Sequence, residues 1–185
     1  MRPVCYSVAM SLDGLIAGPN GEADWIVMDP EIDFGQLFSS YDTLLMGRRT
    51  WEAAKSQGGA GMPGMKSYVF SKTLRPAECK GATLSSDPAA TVRELKQQPG
   101  KAIWLFGGGG LFKSLLELGL VDQVQVGVIP VVLGSGLPLV EHPAGLAKLK
   151  LRKHRVYEKT GTVMLDYEVV GTETAKGPKR GKRPQ

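Results

Sequence analysis

The chain has 185 residues, enough for one domain, and its 42% hydrophobic and 22% charged residues fit a globular protein with a sizeable core. No run reaches the ~18 uncharged apolar residues that span a bilayer, and the short apolar start Val4–Met10 meets Asp13 too soon for a secretory leader, so a cytoplasmic protein is expected. The net charge of +5 is concentrated after residue 170, where Lys176, Lys179, Arg180, Lys182 and Arg183 face only Glu173, leaving +1 on the preceding 170 residues.

That division predicts a folded domain over 1–170 and a basic, disordered tail over 171–185. The near-neutral body argues against nucleic acid as its partner, and only the tail offers weak contact with RNA or another polyanion. Val4–Met10 reads as a buried strand ending at the turn Ser11-Leu12-Asp13-Gly14. Asp29-Pro30 has the form of an N-cap with proline at the first helical position. Behind it Phe34, Leu37, Phe38 and Tyr41 fall at i, i+3, i+4 and i+7, the spacing of an amphipathic helix. Thr43–Met46 is a short apolar strand, and Gly47 opens a helix through Glu52. A flexible loop over 58–64 leads to a strand at Ser67–Ser71.

The alternation then continues. Asp87-Pro88 begins a helix that ends before Gly100, Ala102–Phe106 is a buried strand, and Leu111–Leu118 is a helix closed by Gly119. Strands that are apolar throughout and alternate with helices argue for parallel units covered on both faces. Gln123–Ile129 and Thr162–Val169 instead alternate in polarity, which predicts an antiparallel pair added to the sheet near the turn at Glu158–Gly161. His154, between Lys153 and Arg155 in a strand, is expected at the surface.

Two strands run through glycine into a helix: Leu45-Met46-Gly47-Arg48-Arg49-Thr50 and Leu105-Phe106-Gly107-Gly108-Gly109-Gly110-Leu111. A helix start offers unpaired N–H groups and the positive end of the dipole, and glycine lets a phosphate approach the backbone. Two such turns on one sheet edge could hold a dinucleotide pyrophosphate. Arg48, Arg49, Lys72, Thr50 and Ser71 add donors suited to a further phosphate monoester, as in NADPH. Neither G-x-G-x-x-G nor G-x-x-x-x-G-K-[ST] occurs. Cys5, Cys79, His142 and His154 have no metal-ligand spacing, so no metal site is expected.

These segments in this order, from Val8-Ala9-Met10-Ser11-Leu12-Asp13-Gly14 through Met46-Gly47-Arg48-Arg49-Thr50-Trp51-Glu52 and Val69-Phe70-Ser71-Lys72 to Phe106–Phe112, resemble the dihydrofolate reductase superfamily. Ser11–Gly14 and Val128–Gly136 resemble the branch that holds the reductase half of the riboflavin-biosynthesis deaminase–reductase. The resemblance implies a three-layer α/β/α fold, with a mostly parallel mixed sheet, a C-terminal antiparallel hairpin and often a homodimer. It implies an NADPH site in which Ala9 and Ile16 border the nicotinamide. Gly47, Arg48, Arg49, Thr50, Gly107, Gly108, Gly109 and Leu111 would follow the phosphates, with Ser71 and Lys72 at the 2′-phosphate. It further implies hydride transfer to a C=N or C=O of a small pterin-like or pyrimidine compound. Alternatives are a stand-alone pyrimidinone-phosphate reductase of the riboflavin pathway, or a non-catalytic nucleotide- or RNA-associated protein of the same fold.

Candidates for proton transfer or substrate orientation are Asp13, Glu31 and Asp33, with Asp24 beside Trp25. Trp25 and Phe34 are candidate substrate contacts. A gapless match back from Gly47 puts Glu31 where folate reductases carry the pterin-binding acid, while Glu31 and Asp33 flank the apolar face of the expected helix from opposite sides. The supporting threonine of folate reductases is matched by Gly127, a departure that speaks against folate as substrate.

Overall fold

The computed structural model describes residues 1–56, 58–59, 61–141 and 145–174. The chain begins with β1 (Val4–Ser11), β2 (Leu15–Ala17), α1 (Phe34–Ser39), β3 (Tyr41–Gly47) and α2 (Arg48–Ser56). It continues with β4 (Lys66–Phe70), β5 (Thr83–Ser85), α3 (Pro88–Gln97), β6 (Ala102–Gly107) and α4 (Gly109–Glu117). It ends with β7 (Gln123–Ile129), β8 (Leu137–Pro138), β9 (Gly145–Tyr157) and β10 (Thr162–Thr174).

Eight strands form one sheet in the order β5-β4-β3-β6-β1-β7-β10-β9. β1 pairs in parallel with β6 on one side and β7 on the other. The pairs β3–β6, β3–β4 and β4–β5 are parallel as well, whereas β10 runs antiparallel to β7 and β9. The mixed sheet with its C-terminal antiparallel hairpin is therefore the fold. β2 and β8 form a separate two-stranded ribbon beside it.

The unbroken apolar strands are explained by helices on both faces. In β3, Leu44 and Met46 turn toward Trp51 of α2 and Leu37 and Phe38 of α1. Leu45 between them turns the other way, toward Val92 and Leu95 of α3 and Phe112 and Leu115 of α4. With successive side chains on opposite faces, each face needs its own apolar set.

One element differs from expectation. Helix α1 starts at Phe34 with Asp33 as its N-cap, the carboxylate accepting the Gln36 N–H at 2.8 Å. Asp29 is not the cap, because its carboxylate takes the Glu31 N–H and the Thr160 hydroxyl instead. Tyr41 leaves the helical period to start β3, where its ring stacks 5.4 Å from Trp104 and its hydroxyl donates to Gln125. Tertiary packing outweighs a 3.6-residue spacing that spans only two turns. Helix α4 also starts two residues before Leu111, at Gly109, with Leu118 as its C-cap and Gly119 following at φ +65°. β10 continues to Thr174, beyond residue 170, while residues 175–185 of the expected tail lie outside the described residues. His154 is exposed on β9, and His142 is outside the described residues.

Candidate active site

β3 and β6 are neighbours, with Met46 opposite Gly107, so the starts of α2 and α4 lie side by side at one edge of the sheet. A Cβ placed on Gly47 would stand 3.7 Å from the Gly108 nitrogen, and one on Gly107 or Gly108 would stand 3.6 or 3.5 Å from the Thr50 hydroxyl oxygen. The glycine turns and Thr50 thus make one continuous patch. Gly107 has φ +149°, a backbone region that side-chain-bearing residues rarely enter. Gly109 is glycine for another reason, since a Cβ there would press on the carbonyl oxygens of Pro138 at 3.0 Å and Leu139 at 3.3 Å.

This patch forms one wall of a cleft of about 1290 Å³. Arg48, Arg49, Thr50, Gly108, Gly109 and Leu111 line that wall, and Ala9 and Ile16 line the floor between the wall and the far end. The far end is apolar, built from Ile32, Phe34, Leu37, Phe38 and Met164 with Trp104 and Phe106. Every expected cofactor residue except Ser71 and Lys72 lines the cleft. Those two follow β4, one strand outward from β3 on the same edge. The Ser71 hydroxyl is engaged in a local turn, accepting the Thr73 and Leu74 N–H groups at 3.1 and 3.0 Å, and Lys72 is exposed.

Of the expected substrate-end residues, only Phe34 reaches the cleft. Trp25 donates its indole N–H to the Glu22 carbonyl at 3.1 Å and does not line the wall. Asp13 is a loop anchor: it accepts the Ser11 hydroxyl at 2.6 Å and the backbone N–H groups of Leu133 and Gly134 at 3.1 and 2.8 Å. Those bonds, the Ser11 hydroxyl first, hold its pKa down at about 2. Asp33 caps α1, and Glu31 is paired with Lys159 at 3.3 Å and Arg155 at 3.6 Å. Exposed Asp24 does not line the cleft either. The lining carboxylates are Glu52, ion-paired with Arg48 at 3.2 Å, and Glu141, whose oxygen lies 3.9 Å from the Cβ position of Gly110. Both belong to the phosphate side.

Ser7, Asn20, Pro138, Thr162 and Met164 also line the cleft, although no motif marks them. Ser7 is the polar residue on a strand that is otherwise apolar, a weak signal available in the sequence. Thr162 and Met164 reach the cleft because β10 is threaded beside β7, which puts Met164 opposite Gly127. Asp29 is only 1% exposed, and its carboxylate accepts the Thr160 hydroxyl at 2.9 Å. Burial acts to raise its pKa, but the Glu31 N–H, the Thr160 hydroxyl and the Lys159 charge hold it below the ordinary value.

A crystal structure of a candidate riboflavin biosynthesis protein from Shewanella sp. PV-4 matches with a TM-score of 0.78 at 23% identity, over 92% of this chain and all of that one. Dihydrofolate reductase from Enterococcus faecalis, complexed with NADP(H) and RAB-propyl, matches with a TM-score of 0.64 at 12% identity, over 91% of this chain and 97% of that one. The fold is thus of the dihydrofolate reductase kind. Uncharacterized protein YyaP of Bacillus subtilis (strain 168) is 33% identical over 178 residues, covering 90% of this chain and 94% of its own. Residues 2–163 match the RibD C-terminal domain, and the chain belongs to that family.

Proposed function

We propose that the chain is an NADPH-dependent reductase that passes hydride to a C=N or C=O of a small heterocycle, pterin-like or pyrimidine. The observation that carries this reading is the adjacency of the two glycine-opened helix starts on one cleft wall. The residues fit the cofactor. Arg48 and Arg49 occupy the first turn of α2, which holds no acid. Cations are disfavoured at the positive end of a helix, and a bound pyrophosphate would turn that repulsion into attraction. The first-turn N–H groups of α4 face the same ligand, with Thr50 beside Gly107 and Gly108. Ser71 and Lys72 would take the 2′-phosphate, and Ala9 and Ile16 would border the nicotinamide.

Bound there, NADPH supplies the hydride and its electron pair. The chain's own share is alignment and exclusion of water. Phe34, Phe38 and Met164 enclose a space suited to one flat ring beside Ala9. Calorimetric titration tests the reading. NADPH is expected to bind with a dissociation constant in the micromolar range and more tightly than NADH, with Lys72→Ala reducing that preference about tenfold. Lack of saturable NADPH binding at about 1 mM removes the reductase reading.

A further inference from the structure

Resting on the cleft as a reductase site, we infer that Asp29 fixes the hydrogen-bonding polarity of its apolar end through Thr160 and Thr162, so that this end receives a ligand edge carrying an N–H donor. The Thr160 hydroxyl oxygen lies 2.9 Å from the Asp29 carboxylate and 2.9 Å from the Thr162 hydroxyl oxygen. It owns one proton. An ionised carboxylate can only accept, and charge-assisted bonds are the stronger ones, so that proton goes to Asp29. The Thr162 hydroxyl then donates to Thr160, and its oxygen is left with acceptor capacity alone. Thr162 is 1% exposed and lines the cleft on the face it shares with Met164. A ligand that offers an N–H there meets a prepared acceptor, whereas one that offers a second acceptor does not.

The rest of the apolar end supports the assignment. Glu52 and Glu141 lie on the phosphate side, and Glu31 is paired with Arg155 and Lys159. Asp29 is therefore the carboxylate connected to this end, at one remove. It is a positioning residue. Asp29 also sits between Met28 and Ile32, both on the cleft wall, so the same bond ties that wall segment to the β9–β10 turn.

Replacing Asp29 by asparagine is a near-isosteric reversal. The amide oxygen keeps the Glu31 N–H, while the amide nitrogen donates to Thr160. Thr160 must then donate to Thr162, whose proton turns toward the cleft. The probes are quinazolin-4(3H)-one, which carries a ring N–H, and its 3-methyl derivative, which does not. Binding of each is titrated by tryptophan fluorescence, with and without NADPH, after NADPH binding has been measured alone. The native protein is expected to bind the N–H form about tenfold more tightly. Asp29→Asn is expected to abolish or invert that ratio, Thr160→Val to abolish it, and Thr160→Ser to retain it. A native protein that binds both probes equally, or neither, overturns the inference. So does an unchanged ratio in Thr160→Val, the variant that remains decisive if Asp29→Asn does not fold. If NADPH fails to bind but the ratio responds as stated, the reductase reading falls and the role of Asp29 stands.

Discussion

Four consecutive glycines cost chain entropy, and the structure gives different reasons for adjacent members of the run. Gly109 is barred from a side chain by two carbonyl oxygens, whereas a Cβ on Gly110 would meet only a Glu141 oxygen at 3.9 Å, an ordinary contact. Gly109→Ala is therefore expected to lower unfolding stability by about 1–3 kcal/mol in ligand-free urea titrations. Gly110→Ala, inside α4, should raise it by about 0.5–1 kcal/mol. Tyr6 gives a second contrast. Its ring stacks on Phe112 at 3.9 Å between centroids, but its fully buried hydroxyl has no hydrogen-bond partner. Tyr6→Phe keeps the stacking and removes the orphan group, so the melting temperature should stay the same or rise; a fall of several degrees would contradict the packing described. The glycine turns were legible in the sequence because helix starts and glycine have strong local signatures. Asp29 and Thr162 were not, because their roles depend on a bond between residues 131 positions apart in one case and on strand threading in the other.

At the level of elements, the turn after β1 and the loop after β7 are fastened through Asp13. Its carboxyl titrates at about 2 in the folded chain against an ordinary 3.8, so the fastening is complete above 3.8 and is lost as pH falls through about 2. Amide proton shifts of Leu133 and Gly134 followed by NMR should move in that window, and Asp13→Asn should remove the transition. The strands whose two faces are both covered were readable as apolar runs, and β7 and β10 as alternating ones. Helix α1 was misplaced by its first turn because the Asp29-Pro30 pair looks like a cap in any context, and only the distant Thr160 hydroxyl draws the carboxylate elsewhere.

At the scale of the molecule, the edge strand β9 exposes Leu149, Leu151 and Val156 at 44, 47 and 55% on the face that holds Tyr167 and Val169 of β10. An apolar row on an open edge is a self-association surface. We expect a homodimer in sedimentation velocity and its conversion to monomer by Leu151→Glu. A monomeric native protein would leave that row without this explanation.

The sheet order also sets a timetable. β1 is made first but finds its partners only when β6 and β7 exist, since Val4 pairs with Ile103 and Ser11 with Ile129. The enclosure around Thr162 and Met164 waits longer still, for β10. A nascent chain halted before that strand would own the anion-gripping turns yet lack a closed chamber for the second molecule. Truncated translation products should therefore be catalytically silent competitors for nucleotide rather than partial enzymes.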